Sequence, residues 1–383
     1  MKKILAFLLC VSLILGPTGC GTAEDATGGA TGEAVPAQTT EQNHGAGEEN
    51  IAESPEPDDY EEDPIDHSWQ FDAPENRGVD PDGLSRFRAA LDEVDIRCAV
   101  LVKDGYIIDE YYKDEYDENS VFRMASVTKS VTGAVVGIAI ERGLIKEVDS
   151  ALLEFLPQLN DPGMEDKREI TVEHLLTHTS GVYWNEWAGG DYFMRFSRSE
   201  NWVDFVLDQE MQYAPGAVFN YTTGGSHLLG AVIREATGMT AFDFAKEHMF
   251  KPMGMESVEW RADPQGVTDA GNGVSMTARD AAKFGQMFLD GGMYKDRQII
   301  QEEWVERSVS RQVVTGFPNT GDHGYCWWLK SFGGYDAYYA MGHGGQYIIV
   351  VPELKLVTVM SSRVSDTYIP QRIFESYLIP ACV

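Results

Sequence analysis

Phe122-Arg123-Met124-Ala125-Ser126-Val127-Thr128-Lys129 runs without a break into Val131, Ala134, Val135, Ile138 and Ala139. The run predicts a helix from Ser126 to Glu141 whose small, apolar residues suit burial on all sides, with its start in a cleft. Ser126 and Lys129 lie three residues apart, so they share a face and the lysine amine reaches the serine hydroxyl. A helix start adds unpaired N–H groups and a positive potential, which favour a developing oxyanion and disfavour a protonated lysine. A serine next to such an amine is an activated nucleophile. A serine acting only as a cap, followed by a solvated lysine, would not need so buried a helix.

Working outward, Cys98 to Val102 and Tyr106 to Tyr112 read as a hairpin turning on Lys103-Asp104-Gly105, preceded by a helix around Leu84, Phe87, Ala90 and Leu91. Tyr325 to Leu329, Ala337 to Met341, Gln346 to Val351 and Leu356 to Ser361 are strand-like, and a closing helix runs from Thr367 to Leu378. Between these ends the pattern is helical at Trp202 to Leu207, Gly225 to Ala236, Ala241 to Phe250 and Thr277 to Leu289, with Thr277 and Asp280 placed as a capping box. The predicted class is therefore α/β in the α+β sense: an antiparallel sheet completed by both chain ends (about 67–125 and 320–383), flanked by helices. A mostly helical region, about 140–290, is inserted, with the active site between the two parts.

Three further segments carry a resemblance. Ile170 to Gly181 reads I-T-V-E-H-L-L-T-H-T-S-G, Pro215 to Gly230 reads P-G-A-V-F-N-Y-T-T-G-G-S-H-L-L-G, and Gly342 to Val351 follows near the C-terminus. With Arg123 to Ser130, and in this order, they resemble the β-lactamase-related serine hydrolases. That group includes class C β-lactamases, D-alanyl-D-alanine carboxypeptidases, esterases and 6-aminohexanoate-dimer hydrolases, and the likeness spans about residue 70 to the C-terminus. It implies a β-lactamase/transpeptidase-like fold and hydrolysis of ester or amide bonds through a Ser126 acyl-enzyme. Tyr221 stands at the tyrosine of the Y-x-N motif and would pass protons with Lys129, the immediate base being either of the two. The backbone N–H groups of Ser126 and Gln346 would form the oxyanion hole. Thr223, His343, Gly344 and Gly345 would face the substrate, with His343 near Tyr221.

Two positions depart from the β-lactam-processing pattern. Thr223 replaces an asparagine and offers one short hydroxyl instead of an amide. His343 replaces a lysine and lacks its permanent charge. Unstrained esters and small amides are thus the expected substrates, with true β-lactamase or D-alanyl-D-alanine carboxypeptidase activity on cell-wall peptides as the alternative. A catalytically silent surface binding protein of the same fold is the second alternative; an intact Ser126, Lys129 and Tyr221 set argues against it.

The remaining features bound the setting. Lys2 and Lys3 precede an apolar run from Ile4 to Leu15, too short to span a membrane, so residues 1–20 read as an export signal. Pro17-Thr18-Gly19-Cys20 resembles a bacterial lipobox, which implies lipidation of Cys20 and anchoring to the outer face of a membrane, or else secretion. Residues 21–66 hold 14 acidic side chains and no Lys or Arg, with almost no large apolar residue, and read as a solvated tether. Residues 67–383 form the hydrolase domain. A formal charge of −31 repels phosphate backbones and excludes nucleic acid as a partner.

His174 and His178 are spaced as helical zinc ligands, but H-E-x-x-H lacks its glutamate here, so no metal or other cofactor is expected, and packing and backbone hydrogen bonds are their predicted duties. No G-x-S-x-G elbow of an α/β-hydrolase occurs. Cys98 and Cys326 lie in apolar runs and read as small buried hydrophobes. Tyr183, Trp184, Trp187, Trp327 and Trp328 are candidate cleft aromatics.

Overall fold

The computed structural model describes residues 65–186 and 190–383. The expected signal, the Cys20 anchor, residues 21–64 of the tether and Trp187 lie outside the described residues. Chain order begins with α1 (Pro81–Asp92), β1 (Ile96–Lys103), β2 (Tyr106–Tyr112), β3 (Val121–Arg123) and α2 (Val127–Glu141). The helical middle holds α3 (Val172–Leu176), α4 (Gly190–Arg198), α5 (Trp202–Leu207), α6 (Thr223–Thr237) and α7 (Ala241–Ala245). After β4 (Glu259–Trp260) and β5 (Val274–Thr277) come α8 (Ala278–Leu289), a small hairpin of β6 (Met293–Tyr294) and β7 (Arg297–Gln298), and α9 (Glu302–Ser308). The chain ends with β8 (Asp322–His323), β9 (Trp328–Phe332), β10 (Tyr335–Gly342), β11 (Gln346–Val351), β12 (Leu356–Ser362) and α10 (Ile369–Ile373).

The main sheet has seven strands in the order β2-β1-β12-β11-β10-β9-β8, all antiparallel. β1 from the N-terminal part pairs with β12 from the C-terminal part, so the two ends complete one sheet as expected. The hairpin between β1 and β2 turns on Asp104 (φ 51°) and Gly105 (φ 80°), both left-handed, which matches the natural twist of the strands. Alternation along the central strands splits the core in two. Val100, Ile348, Val350, Val357 and Val359 pack with α2 and α8, whereas Leu101, Ile349, Val351 and Met360 pack with α1 and the C-terminal helices. Covered on both faces, these strands read as near-continuous apolar runs.

Several local expectations shift. Cys326 precedes β9 at φ 61° instead of lying in a strand; the chain turns there so that the Cys326 amide donates to the Leu176 carbonyl (3.0 Å). Thr277 caps α8 by accepting from the Asp280 amide at 3.2 Å. The return half of the box is missing, because the Asp280 carboxylate accepts from the Ser257 hydroxyl (2.6 Å) and the Thr277 amide donates to the Ser257 oxygen (3.0 Å). The helix begun by α7 continues to Phe250 as a wider π turn, and that begun by α10 does so from Phe374 to Leu378. The short sheet β3-β5-β4 was not foreseen; it ties the segment before Ser126 to the segment before α8.

Candidate active site

Ala125 sits at φ 48°, a left-handed conformation that strains a residue bearing a Cβ. Three contacts hold it: the Met124 amide donates to the Val274 carbonyl (2.9 Å), the Thr128 hydroxyl to the Ala125 carbonyl (2.6 Å), and the Val274 amide to the Thr128 oxygen (3.0 Å). The turn delivers Ser126 to the start of α2. Its hydroxyl caps no backbone group of the helix and is left for other partners. Those partners are the Lys129 amine, 3.0 Å from Ser126 Oγ, and the Tyr221 phenol, which hydrogen-bonds the same side chain. Lys129 Nζ also lies 4.8 Å from the centre of the Tyr221 ring.

Lys129 and Tyr221 are both buried, with opposite consequences. Lys129 is 2% exposed, and burial pushes its ammonium below the ordinary range, partly offset by Glu186, Asp269 and Cys326. Burial pushes the Tyr221 phenol well above its usual value, against a smaller opposing effect of its hydrogen bond with Ser126. Tyr221 is held by a ring cluster: His178 at 4.5 Å, and Trp328 stacked at 5.6 Å with 26° between planes. His178 Nδ1 accepts from the Thr222 amide (3.3 Å), and His174 Nδ1 accepts from the Thr171 amide (3.1 Å) within the cap of α3. These are the packing and backbone duties read for the two histidines. His323 packs 5.1 Å from His178, and burial lowers it to about 3.

The third segment forms the turn between β10 and β11, with Gly344 (φ 79°) and Gly345 (φ 84°) in left-handed conformations that glycine accepts freely. Gly342 pairs with Gln346 across this hairpin, and a Cβ at Gly342 would stand 2.4 Å from the Met124 carbonyl oxygen. The strand end and the turn before Ser126 are thus in direct backbone contact. The Gln346 side chain points back into the sheet, donating to the Ser362 carbonyl (2.7 Å) and accepting from Ser361 (2.6 Å) and from Arg97 (3.4 Å). His343 is exposed, and the histidine packed on the Tyr221 ring is His178. Trp327 belongs to the core against Phe284 and Phe288, while Trp328 lines the site.

Glu186 is the residue that sequence reasoning missed. Its carboxylate accepts from the Thr223 hydroxyl (2.6 Å), the Thr223 amide (2.9 Å) and the Trp184 indole (2.5 Å). The Thr223 oxygen in turn accepts from Lys129 Nζ at 3.0 Å. A carboxylate beside an otherwise neutral pair of aromatic residues, five positions after Gly181, was the one available signal.

A strained turn presenting a serine to a buried lysine and tyrosine, at the border of an antiparallel sheet and a helical region, defines a serine hydrolase of the β-lactamase/transpeptidase-like fold. The family model described as Beta-lactamase matches residues 87–368, and the chain belongs to that family. It is 27% identical over 284 residues to penicillin-binding protein 4 of Amycolatopsis lactamdurans, across 63% of this chain and 72% of that one. It is 32% identical over 151 residues to the esterase EstB of Burkholderia gladioli, across 36% of this chain and 38% of that one. The octameric penicillin-binding protein homologue from Pyrococcus abyssi shares the fold with a TM-score of 0.65 at 22% identity, over 78% of this chain and 76% of that one.

Proposed function

We propose that this hydrolase cleaves unstrained esters or small amides through an acyl-enzyme on Ser126. The observation that carries the reading is the convergence of Lys129 Nζ and the Tyr221 phenol on one serine hydroxyl. Lys129 takes the hydroxyl proton as Oγ attacks the carbonyl carbon, and the amide N–H groups of Ser126 and Gln346 receive the oxyanion. On collapse the proton passes by way of Tyr221 to the leaving alkoxide or amine, and a water repeats the sequence to release the acid. The opposed directions of the two proton affinities support Lys129 as the immediate base.

The substrate class rests on Thr223 and His343. The Thr223 hydroxyl is already engaged on both sides, by Lys129 and Glu186, so it has little to offer an acylamido group. No lysine stands at His343 to hold a carboxylate. The loss of one charge-assisted hydrogen bond costs roughly 1.5–3 kcal/mol, enough with the other change to lower β-lactam specificity by about two orders of magnitude.

The test is kcat/KM for a short-chain nitrophenyl ester, a D-alanyl dipeptide amide, a linear aminocaproyl dimer and a cephalosporin under one condition, beside fluorophosphonate labelling. Ester or amide turnover should lead, with labelling lost in Ser126→Ala. Lys129→Ala and Tyr221→Phe should each cost orders of magnitude, non-additively, since they act as one unit. A cephalosporin processed near the diffusional limit with slow esters would overturn the substrate class. An unlabelled wild-type protein would favour a binding role.

We further propose, from the leader and the lipobox-like Gly19-Cys20, that Cys20 is lipidated and anchors the exported protein. Cys20→Ser should release the protein or leave it unprocessed; an unmodified N-terminus elsewhere would refute the anchor.

A further inference from the structure

Lys129 Nζ hydrogen-bonds to Ser126 Oγ (3.0 Å), Thr223 Oγ1 (3.0 Å) and the Gly271 carbonyl (2.8 Å). As an ammonium it donates to all three. As a neutral amine it has two N–H bonds and one lone pair, and that lone pair must face a group able to donate. The Gly271 carbonyl only accepts. The two hydroxyls, on Ser126 and Thr223, compete for the lone pair. If Thr223 donates to the amine, the base faces the wrong residue and Ser126 is not activated.

Glu186 decides that competition. A carboxylate oxygen accepts, so the 2.6 Å contact commits the Thr223 proton to Glu186 and leaves Thr223 able only to accept from Lys129. The other carboxylate oxygen is fixed by the Thr223 amide and the Trp184 indole, so the group has no freedom to turn away. Thr223 itself is held at the first residue of α6, next to its cap Thr222. We propose that Glu186 is a positioning residue which, by taking the Thr223 hydroxyl proton, aims the lone pair of Lys129 at Ser126. The inference rests on the reading of Ser126 as nucleophile and Lys129 as its base. In the activation step the Ser126 O–H bond breaks, the Lys129 N–H bond forms, and the Thr223–Glu186 proton stays where it is.

The same carboxylate acts on the charge of Lys129. Two hydrogen bonds in series put it within roughly 6 Å of the amine, the range in which an opposite charge favours the ammonium. The other groups facing the amine are Asp269, tied to Arg261, from the loop before β5; Cys326 from the segment before β9; and Tyr221, with His178 and His323 behind it. Removal of the Glu186 charge therefore moves the acid limb of kcat/KM to lower pH.

The experiment is a double-mutant cycle in the full chain, read as kcat, KM and the pH profile for a nitrophenyl ester, with thermal unfolding of each variant. Glu186→Gln leaves an amide that cannot satisfy all three donors, so Thr223 turns to Lys129. The expected result is a loss of kcat of at least about tenfold with little change in KM, and an acid limb lower by about one pH unit. Glu186→Asp, which keeps the charge, should restore much of the rate.

In a Thr223→Val background no second hydroxyl competes for the lone pair, so Glu186→Gln should cost little further kcat. A full loss of kcat repeated in the Thr223→Val background, or an acid limb that stays or rises in Glu186→Gln, would overturn the proposal. Should Glu186→Gln not fold, the aspartate and valine variants still decide: an aspartate variant no faster than Glu186→Ala would overturn it. Wild-type protein that takes no fluorophosphonate, or Ser126→Ala that does, would instead refute the underlying assignment.

Discussion

Gly342→Ala tests whether backbone contact between the end of β10 and the nucleophile turn is required for turnover. The added Cβ would lie 2.4 Å from the Met124 carbonyl oxygen and 3.0 Å from the Ala125 Cβ. Unstrained carbon contacts begin near about 3.5 Å, so the strand end and the turn must part by roughly 1 Å. Neither side yields easily, since Met124 is anchored to Val274 and Gly342 is paired with Gln346. The displacement separates the Ser126 and Gln346 amides, and misplacement on this scale costs on the order of 10²-fold in rate. Overpacking costs about 1–3 kcal/mol in stability as well.

A control separates the two effects. At Gly285 in α8, a Cβ would meet Val357 Cγ1 at 2.6 Å and Ile348 Cγ2 at 2.9 Å, within the core and away from Ser126. The assay is steady-state hydrolysis of a nitrophenyl ester beside thermal unfolding. Gly285→Ala should lose stability and keep kcat, and Gly342→Ala should lose both. Wild-type kcat in a folded Gly342→Ala would refute the account of the turn.

Two other outcomes follow from burial. Folding keeps His178 and His323 neutral, with affinities depressed below the unfolded value near 6.5, so their contribution is complete above that pH and is lost as pH falls towards the folded value, about 3 for His323. The slope is about 1.4 kcal/mol per pH unit for each histidine, and urea unfolding between pH 6.5 and 4 should be shallower in pH for His323→Gln; an unchanged slope would contradict the assignment. The thiols of Cys98 and Cys326 are pushed up to about 12 and that of Cys382 to about 11 by burial. Alkylation read by peptide mass should leave all three unmodified in the native protein and modify them in denaturant; rapid native modification would show an open site.

Much of the frame was readable because it rests on long, regular patterns. The central strands are apolar on both faces, and α2 is apolar throughout, so element type was plain from composition and length. That the two chain ends complete one sheet followed from the β-rich runs at both ends, whereas the pairing of β1 with β12 came from the structure. Ser126 and Lys129 were singled out by their local spacing and Tyr221 by the resemblance of its segment, and the fold brings the three side chains together. β3, β4 and β5 have two to four residues each and no measurable period, so the small sheet escaped. Glu186 escaped for a different reason: its role depends on Thr223, 37 positions away, and on a proton direction that only the folded contact defines. The Asp280 carboxylate illustrates the same limit, since its distant partner Ser257 replaced a local capping contact.

The most direct test of the central claim is intact-mass analysis of the protein quenched during turnover of a short-chain nitrophenyl ester, followed by peptide mapping. The expected result is a mass gain of one acyl group on the peptide containing Ser126, and its absence in Ser126→Ala. An acyl group mapped to another residue, or full turnover by Ser126→Ala, would contradict the account.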